Sequence, residues 1–341
     1  GAAMNLGKNV QYYRMRKGVS RRDLADAIGA TEDYVARLEK SKTISDVSVI
    51  KKVCFALKVP FREFMSLDSS VDIVSASFQS SFRLSFLQQQ SVLAQMRCAA
   101  QHLYDTCQLL GISCGGCSVF DNRIRVYEDV AYAAAYLREV LGIGSSGPVG
   151  NLIHLLESKG ICVVLIATNL PDRVPESFVV CNAMTDKDFP IIALNADFSL
   201  CEQRFAIAEE LARMMFEDAT EEQVEDIAGR FLLPTDDLKW ELGTKRAQVN
   251  LKEVSYMQKE YGVQAHRVVL RATEEYILPK NRYRFFLESH EQLPDVVSEK
   301  PARLEQLVRR AYVECVIDIS GAAELLDCDT GEAVAVCRDE E

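Results

Sequence analysis

The chain has 341 residues, 48% of them hydrophobic and 26% charged, and a formal net charge of −11. This is the composition of a soluble globular protein, long enough for two or three domains with ordinary cores. No run of about 18 apolar residues is present, which excludes a membrane-spanning helix, and the eleven scattered cysteines, odd in number and without framework spacing, argue against a disulfide framework.

Those thiols read as free cysteines in a reducing cytoplasm. The start has no signal-peptide shape, and Gly1-Ala2-Ala3 ahead of Met4 reads as an expression remnant. The charge is uneven. Residues 1–65 carry thirteen Lys and Arg against seven Asp and Glu, a surplus of six, so the remainder carries −17. A basic head on an acidic body points to a polyanion that meets the head alone.

Residues 5–65 read as short helices. The first runs over 6–16 and ends at Lys17-Gly18. Ser20 caps the second, with Asp23 three residues on, and it stops at Gly29. Thr31 caps a third over 32–40, a fourth covers 47–57, and 60–65 adds a last turn. Helix, short turn with Gly, helix is helix-turn-helix geometry. The run Ser20-x-x-x-Leu24-Ala25-x-x-Ile28-Gly29-Ala30-Thr31-x-x-x-Val35-x-x-Leu38-Glu39 resembles the Cro/C1-type (XRE) DNA-binding domain throughout. That resemblance implies a double-stranded DNA operator as partner and a homodimer reading two half-sites. It implies that Thr31, Glu32, Asp33, Tyr34 and Arg37 face base edges or flanking phosphates, with Arg21 near the backbone and groove. Arg22, Lys40 and Lys42 are the candidate phosphate contacts.

Residues 66–125 read as a connector: a Ser-rich lead-in over 66–81, then a helix over 82–110 with mixed rather than heptad packing. Cys114-Gly115-Gly116-Cys117 has the spacing of a redox pair or half a metal site, but a second pair is missing, and two thiols in a loop is the favoured reading. Beyond it, helices are expected over 129–141 and 149–159. Strands follow over 161–166, 177–181 and 190–194.

The stretch over 199–216 is the most informative in the body. Ser199 and Glu202 are spaced as a capping box, and Phe205, Ala208, Leu211, Ala212 and Met215 form one apolar stripe. Glu209, Glu210 and Arg213 sit where a His-Glu-x-x-His zinc motif would place His, Glu and His. The flanks Arg204-Phe205-x-x-Ala208-x-Glu210-Leu211, the later Ala228-x-x-Phe231-Leu232-Leu233-Pro234 and the earlier Leu137-Arg138-x-x-Leu141-Gly142 resemble ImmA/IrrE-type metallopeptidases over about 128–234. By that resemblance Glu221 falls on the third metal ligand. An arginine has no lone pair to give, so the site reads as degenerate: no metal, no cofactor, no catalytic residue, and an ion-pair cluster in their place.

The expected fold is therefore mixed. An all-α helix-turn-helix head (1–65) and a helical connector (66–125) precede an α+β zincin-like pseudo-peptidase domain with a small sheet (126–234) and a mainly helical C-terminal region (235–341), with helices over 252–261, 265–275 and 301–315. The function this implies is a cytoplasmic DNA-binding transcriptional regulator, a repressor by resemblance, whose body senses or docks a protein or small-molecule effector. Two other readings stand beside it: an active metallopeptidase holding a hard cation on Glu209, Glu210 and Glu221, and an antitoxin-like partner-binding autoregulator.

Overall fold

The computed structural model describes residues 5–339 apart from 69, 115 and 167–177. Gly1–Met4, Gly115 of the Cys-Gly-Gly-Cys stretch and Ser177, the expected start of a strand, lie outside the described residues.

Five helices build the head: Leu6–Arg16 (α1), Arg21–Ile28 (α2), Glu32–Lys40 (α3), Val47–Leu57 (α4) and Phe61–Ser66 (α5). The signals read from the sequence act at their ends. Ser20 and Thr31 accept backbone hydrogen bonds at the starts of α2 and α3, and Gly29 closes α2 in the left-handed region at φ 72°. Val10, Leu24, Val35, Val53 and Phe64 meet in a core of the head's own.

The chain then enters the sheet. Ile73–Ser80, inside what reads as an irregular Ser-rich lead-in, is a strand (β1) at one edge. It is followed by the 25-residue helix Phe86–Leu110 (α6), then Val130–Val140 (α7) and Leu152–Ser158 (α8). Cys162–Ile166 (β2), Val179–Thr185 (β3) and Pro190–Asn195 (β4) complete the sheet in the order β1-β3-β4-β2. β3 runs antiparallel to both β1 and β4, and β2 runs parallel to β4. Three strands are read from the sequence where the sheet has four. β1 escapes because half of its residues are exposed and none is fully buried, so no apolar alternation marks it.

Both faces of the sheet are covered, and successive residues serve opposite sides. Cys162, Val164, Cys181, Ile191 and Ala193 face a floor made by Val92, Met96 and Ala100 of α6. Val163, Val180, Ile192 and Leu194 face the main core, beneath Leu200–Met215 (α9) and Glu221–Leu232 (α10). The same core continues through Thr235–Leu242 (α11), Leu251–Tyr261 (α12), Ala265–Glu274 (α13) and Asn281–Ser289 (α14). Packing thus runs across the 234/235 division, because Leu238, Val254, Val268 and Phe286 bury against the same cluster as Phe231.

The last helices, Arg303–Val313 (α15), Ile319–Leu326 (α16) and Thr330–Cys337 (α17), form a separate small core. Met15 of the head and Leu109 at the end of α6 are buried in it. No helix among the described residues is long and apolar enough to cross a membrane.

Met96 is fully buried between α6 and the sheet. Its replacement by Ala should cost about 2–5 kcal/mol in chemical denaturation. A loss under about 1 kcal/mol would mean that α6 is not the floor of the sheet.

Candidate nucleic-acid interface and a buried carboxylate–arginine cluster

The head places its apolar residues inward and its candidate contacts outward. Leu24, Ala25 and Ile28 of α2 and Val35 and Leu38 of α3 are buried. On the other side of the two helices Arg22, Thr31, Glu32, Asp33, Arg37 and Lys40 are exposed, as is Lys42 just beyond, while Tyr34 is half-buried. Thr31 Oγ1 accepts from the Tyr34 N–H at 3.2 Å, which fixes the start of α3 with its first turn facing out. A second helix held across a first, with its N-terminal turn exposed, is the arrangement that enters a DNA major groove.

Arg21 is placed differently from the other candidates. Its Nε donates to Glu39 at 2.9 Å, and Glu39 is also paired with the buried Arg14. The C-terminal α16 contributes a second carboxylate: Arg14 Nη2 donates to Glu324 at 2.6 Å, and Arg21 Nη2 lies 3.8 Å from the same oxygen. Burial alone would lower the Arg14 pKa. The hydrogen bond and charge of Glu39, together with Glu324, outweigh it and hold the guanidinium more firmly protonated than usual.

In the body, α9 starts on the expected capping box, with the Ser199 N–H donating to Glu202 at 2.9 Å. One turn carries Glu209, Glu210 and Arg213, and the start of α10 brings Glu221 beside them. Arg213 is the centre of the cluster. It donates to Glu210 at 2.6 Å and to Glu221 at 2.9 Å and 3.3 Å, and its Nη2 lies 3.5 Å from Glu209. Glu210 is fully buried, and its other oxygen accepts from Asn182 Nδ2 at 2.5 Å. A guanidinium filling the space between three carboxylates is not a zinc donor set.

The cluster forms one wall of a cavity of about 410 Å³ between the β1 edge and α9. Arg267 of α13 also lines it, with its guanidinium 3.5 Å from the Phe205 ring centroid. Desolvation pushes Glu209 up to about 7 against the opposing pull of Arg213 and Arg267. Burial raises Glu210 too, while Asn182 and Arg213 hold it down. Arg213 itself is raised: burial alone would lower it, but the hydrogen bond to Glu221 and the charges of Glu210 and Glu209 prevail.

Asn182 and Arg267 were not singled out in the sequence. Asn182 had a signal, a polar residue at an inward register, flanked by Val, Cys, Ala and Met in the interior of its strand. Arg267 had none, because only the packing of α13 brings it to α9.

The Cys-Gly-Gly-Cys thiols do not form a pair. Cys114 is instead hydrogen-bonded to Cys107 at the end of α6, which raises Cys114 and lowers Cys107. Among the described residues no group of three or more His, Cys, Asp and Glu is placed to hold a metal ion.

An N-terminal unit with this capping, turn and exposed third helix belongs to the class of DNA-binding regulators. Residues 10–64 match the helix-turn-helix family model HTH_3, so the head is an XRE-type helix-turn-helix domain. Comparisons with curated proteins and with solved structures give no match for the chain.

Two measurements test the cluster. Arg213→Gln strands the buried Glu210 and should cost about 3–5 kcal/mol, whereas Glu221→Gln, at the exposed rim, should cost under about 1 kcal/mol. Equal costs would mean that Arg213 does not compensate Glu210. Because Glu209 has a higher proton affinity folded than unfolded, its ionisation should erode stability as pH rises from about 4.5 to about 7. Glu209→Gln should therefore match wild type near pH 4 and exceed it by about 3 kcal/mol at pH 8. A variant less stable than wild type at pH 8 would contradict the assignment.

Proposed function

We propose that the protein is a cytoplasmic, operator-specific transcriptional regulator whose body is a silent relative of ImmA/IrrE-type peptidases. It acts as a homodimer, since two heads related by a twofold axis match two half-sites roughly 34 Å apart. The observation that supports regulation without proteolysis is Arg213, which by resemblance stands at the second histidine and whose guanidinium is bonded to Glu210 and Glu221. Glu210, which corresponds by resemblance to the general base, is bonded to Arg213 and Asn182 and has no free position from which to activate water. The body is then a sensing or docking unit, with the 410 Å³ cavity beside β1 as the place an effector would enter. The repressor assignment follows the resemblance of the head to Cro/C1-type regulators.

Genome-wide mapping of bound DNA should return a small set of sites, and duplexes carrying them should bind the purified protein with a steep salt dependence. Arg22→Ala/Arg37→Ala/Lys42→Ala should weaken that binding at least tenfold, while Glu210→Gln should leave it within about twofold. Wild-type affinity in the triple variant would refute the assigned face. Stoichiometric bound metal, lost in Glu221→Ala, would replace the silent site with a working one.

A further inference from the structure

Three features join the head to the C-terminal helices and to the end of α6. Met15 is buried in the C-terminal core with Val308, Ala311 and Ala322. Arg16 donates to the carbonyls of Gln108 and Leu109 at 3.3 Å and 3.4 Å, tying α1 to the end of α6. Glu324 of α16 accepts from Arg14 at 2.6 Å and from Gln11 at 3.4 Å. All three hold α1. The Glu324 carboxylate also extends to Arg21 at the start of α2.

Arg21 opens α2 directly behind the Ser20 cap, so a cation and a helix N-terminus coincide there, and both favour a phosphate. A carboxylate from 303 residues further along the chain lies there instead, with Glu324 Oε2 3.8 Å from Arg21. Arg14 and Arg21 against Glu39 and Glu324 make two positive and two negative charges, so the charge of Arg21 is neutralised inside the molecule. Beside this cluster runs a groove of about 860 Å³, with Lys8, Arg21 and Lys40 beside Glu32 and Glu39 on its head side, and Glu324, Asp327, Asp329 and Glu332 on the other. A phosphate entering the groove meets like charge across it.

We propose that α16 and α17 are an intramolecular docking surface for the phosphate-facing corner of the head, and that duplex DNA and this surface compete for Arg21. The exposed turn of α3 stays free in the docked state, but the backbone contacts that would anchor it do not form until Glu324 and the acidic wall withdraw. This inference rests on the DNA-binding reading of the head and adds a regulation to it.

The test uses the full chain and a fluorescein-labelled 30-base-pair duplex of random sequence at fixed salt. Asp327→Asn/Asp329→Asn/Glu332→Gln removes three charges, and its Asn and Gln side chains can keep the capping interactions of Asp329 and Glu332. As a control for net charge, Glu222→Gln/Glu260→Gln/Glu291→Gln removes three exposed charges elsewhere. Competition predicts at least tenfold tighter binding for the first variant and less than threefold for the control. It also predicts that saturating wild type with the duplex speeds amide exchange over residues 317–328. Equal gains in the two variants, or unchanged exchange over 317–328 in the DNA-bound protein, would overturn the competition and leave DNA binding standing. Failure of wild type and both variants to bind any duplex would overturn both.

Discussion

A charge taken out of water must find its opposite or a set of dipoles, and that constraint organises this chain more than any single apolar contact. Arg138 meets it with the carbonyls of Gly144, Gly147 and Phe231 at 2.6–2.7 Å. Arg204 does so with the carbonyls of Val149 and Gly150 at 2.7 Å and 2.8 Å, and with Glu299. Each guanidinium fastens loop backbone to a helix, and each closes the main core at a point that no side chain of another kind could reach with so many donors. The Arg213 cluster and the Arg14–Glu39–Glu324–Arg21 cluster answer the same demand in the body and at the head. One gathers Glu209, Glu210 and Glu221 around a single arginine; the other ties the head to α16.

How much of this could be read from sequence depends on how local the cause is. The helices of the head were legible nearly to the residue, because Ser20, Gly29 and Thr31 act on backbone groups two to four positions away. The capping box of α9 and the placement of Glu209, Glu210 and Arg213 on one turn were legible for the same reason. β1 was not, since an edge strand with no fully buried residue lacks the alternation that marks strands with one buried face. The short helices α14, α16 and α17 were also passed over, although α16 and α17 carry ordinary Asp caps. In the cluster, Glu221 was anticipated through family resemblance, but Asn182 and Arg267 depend on how β3 and α13 dock against α9. Arg138 and Arg204 were seen as matching positions in a motif, and their work as clamps on loop carbonyls became visible only in three dimensions.

The head shows the same divide between local and distant causes. Its third helix and exposed polar face follow from a 60-residue pattern, whereas the position of Arg21 depends on Glu324. Nothing in the spacing of residues 5–65 hints that a carboxylate from the other end of the chain completes their central ion cluster. The surplus of positive charge counted over the head is therefore larger than the charge available to a ligand in the docked state.

The helix α6 links these regions mechanically. Its 25 residues make a rod of roughly 37 Å, with Val92 and Met96 seated under the sheet and Leu109 at the junction where Met15 enters the C-terminal core. Such a rod transmits rotation: a tilt of about 5° at Met96 carries Leu109, roughly 20 Å further along the helix, through roughly 2 Å. The packing of side chains beneath the strands thus sets the angular tolerance with which the N-terminal domain is held.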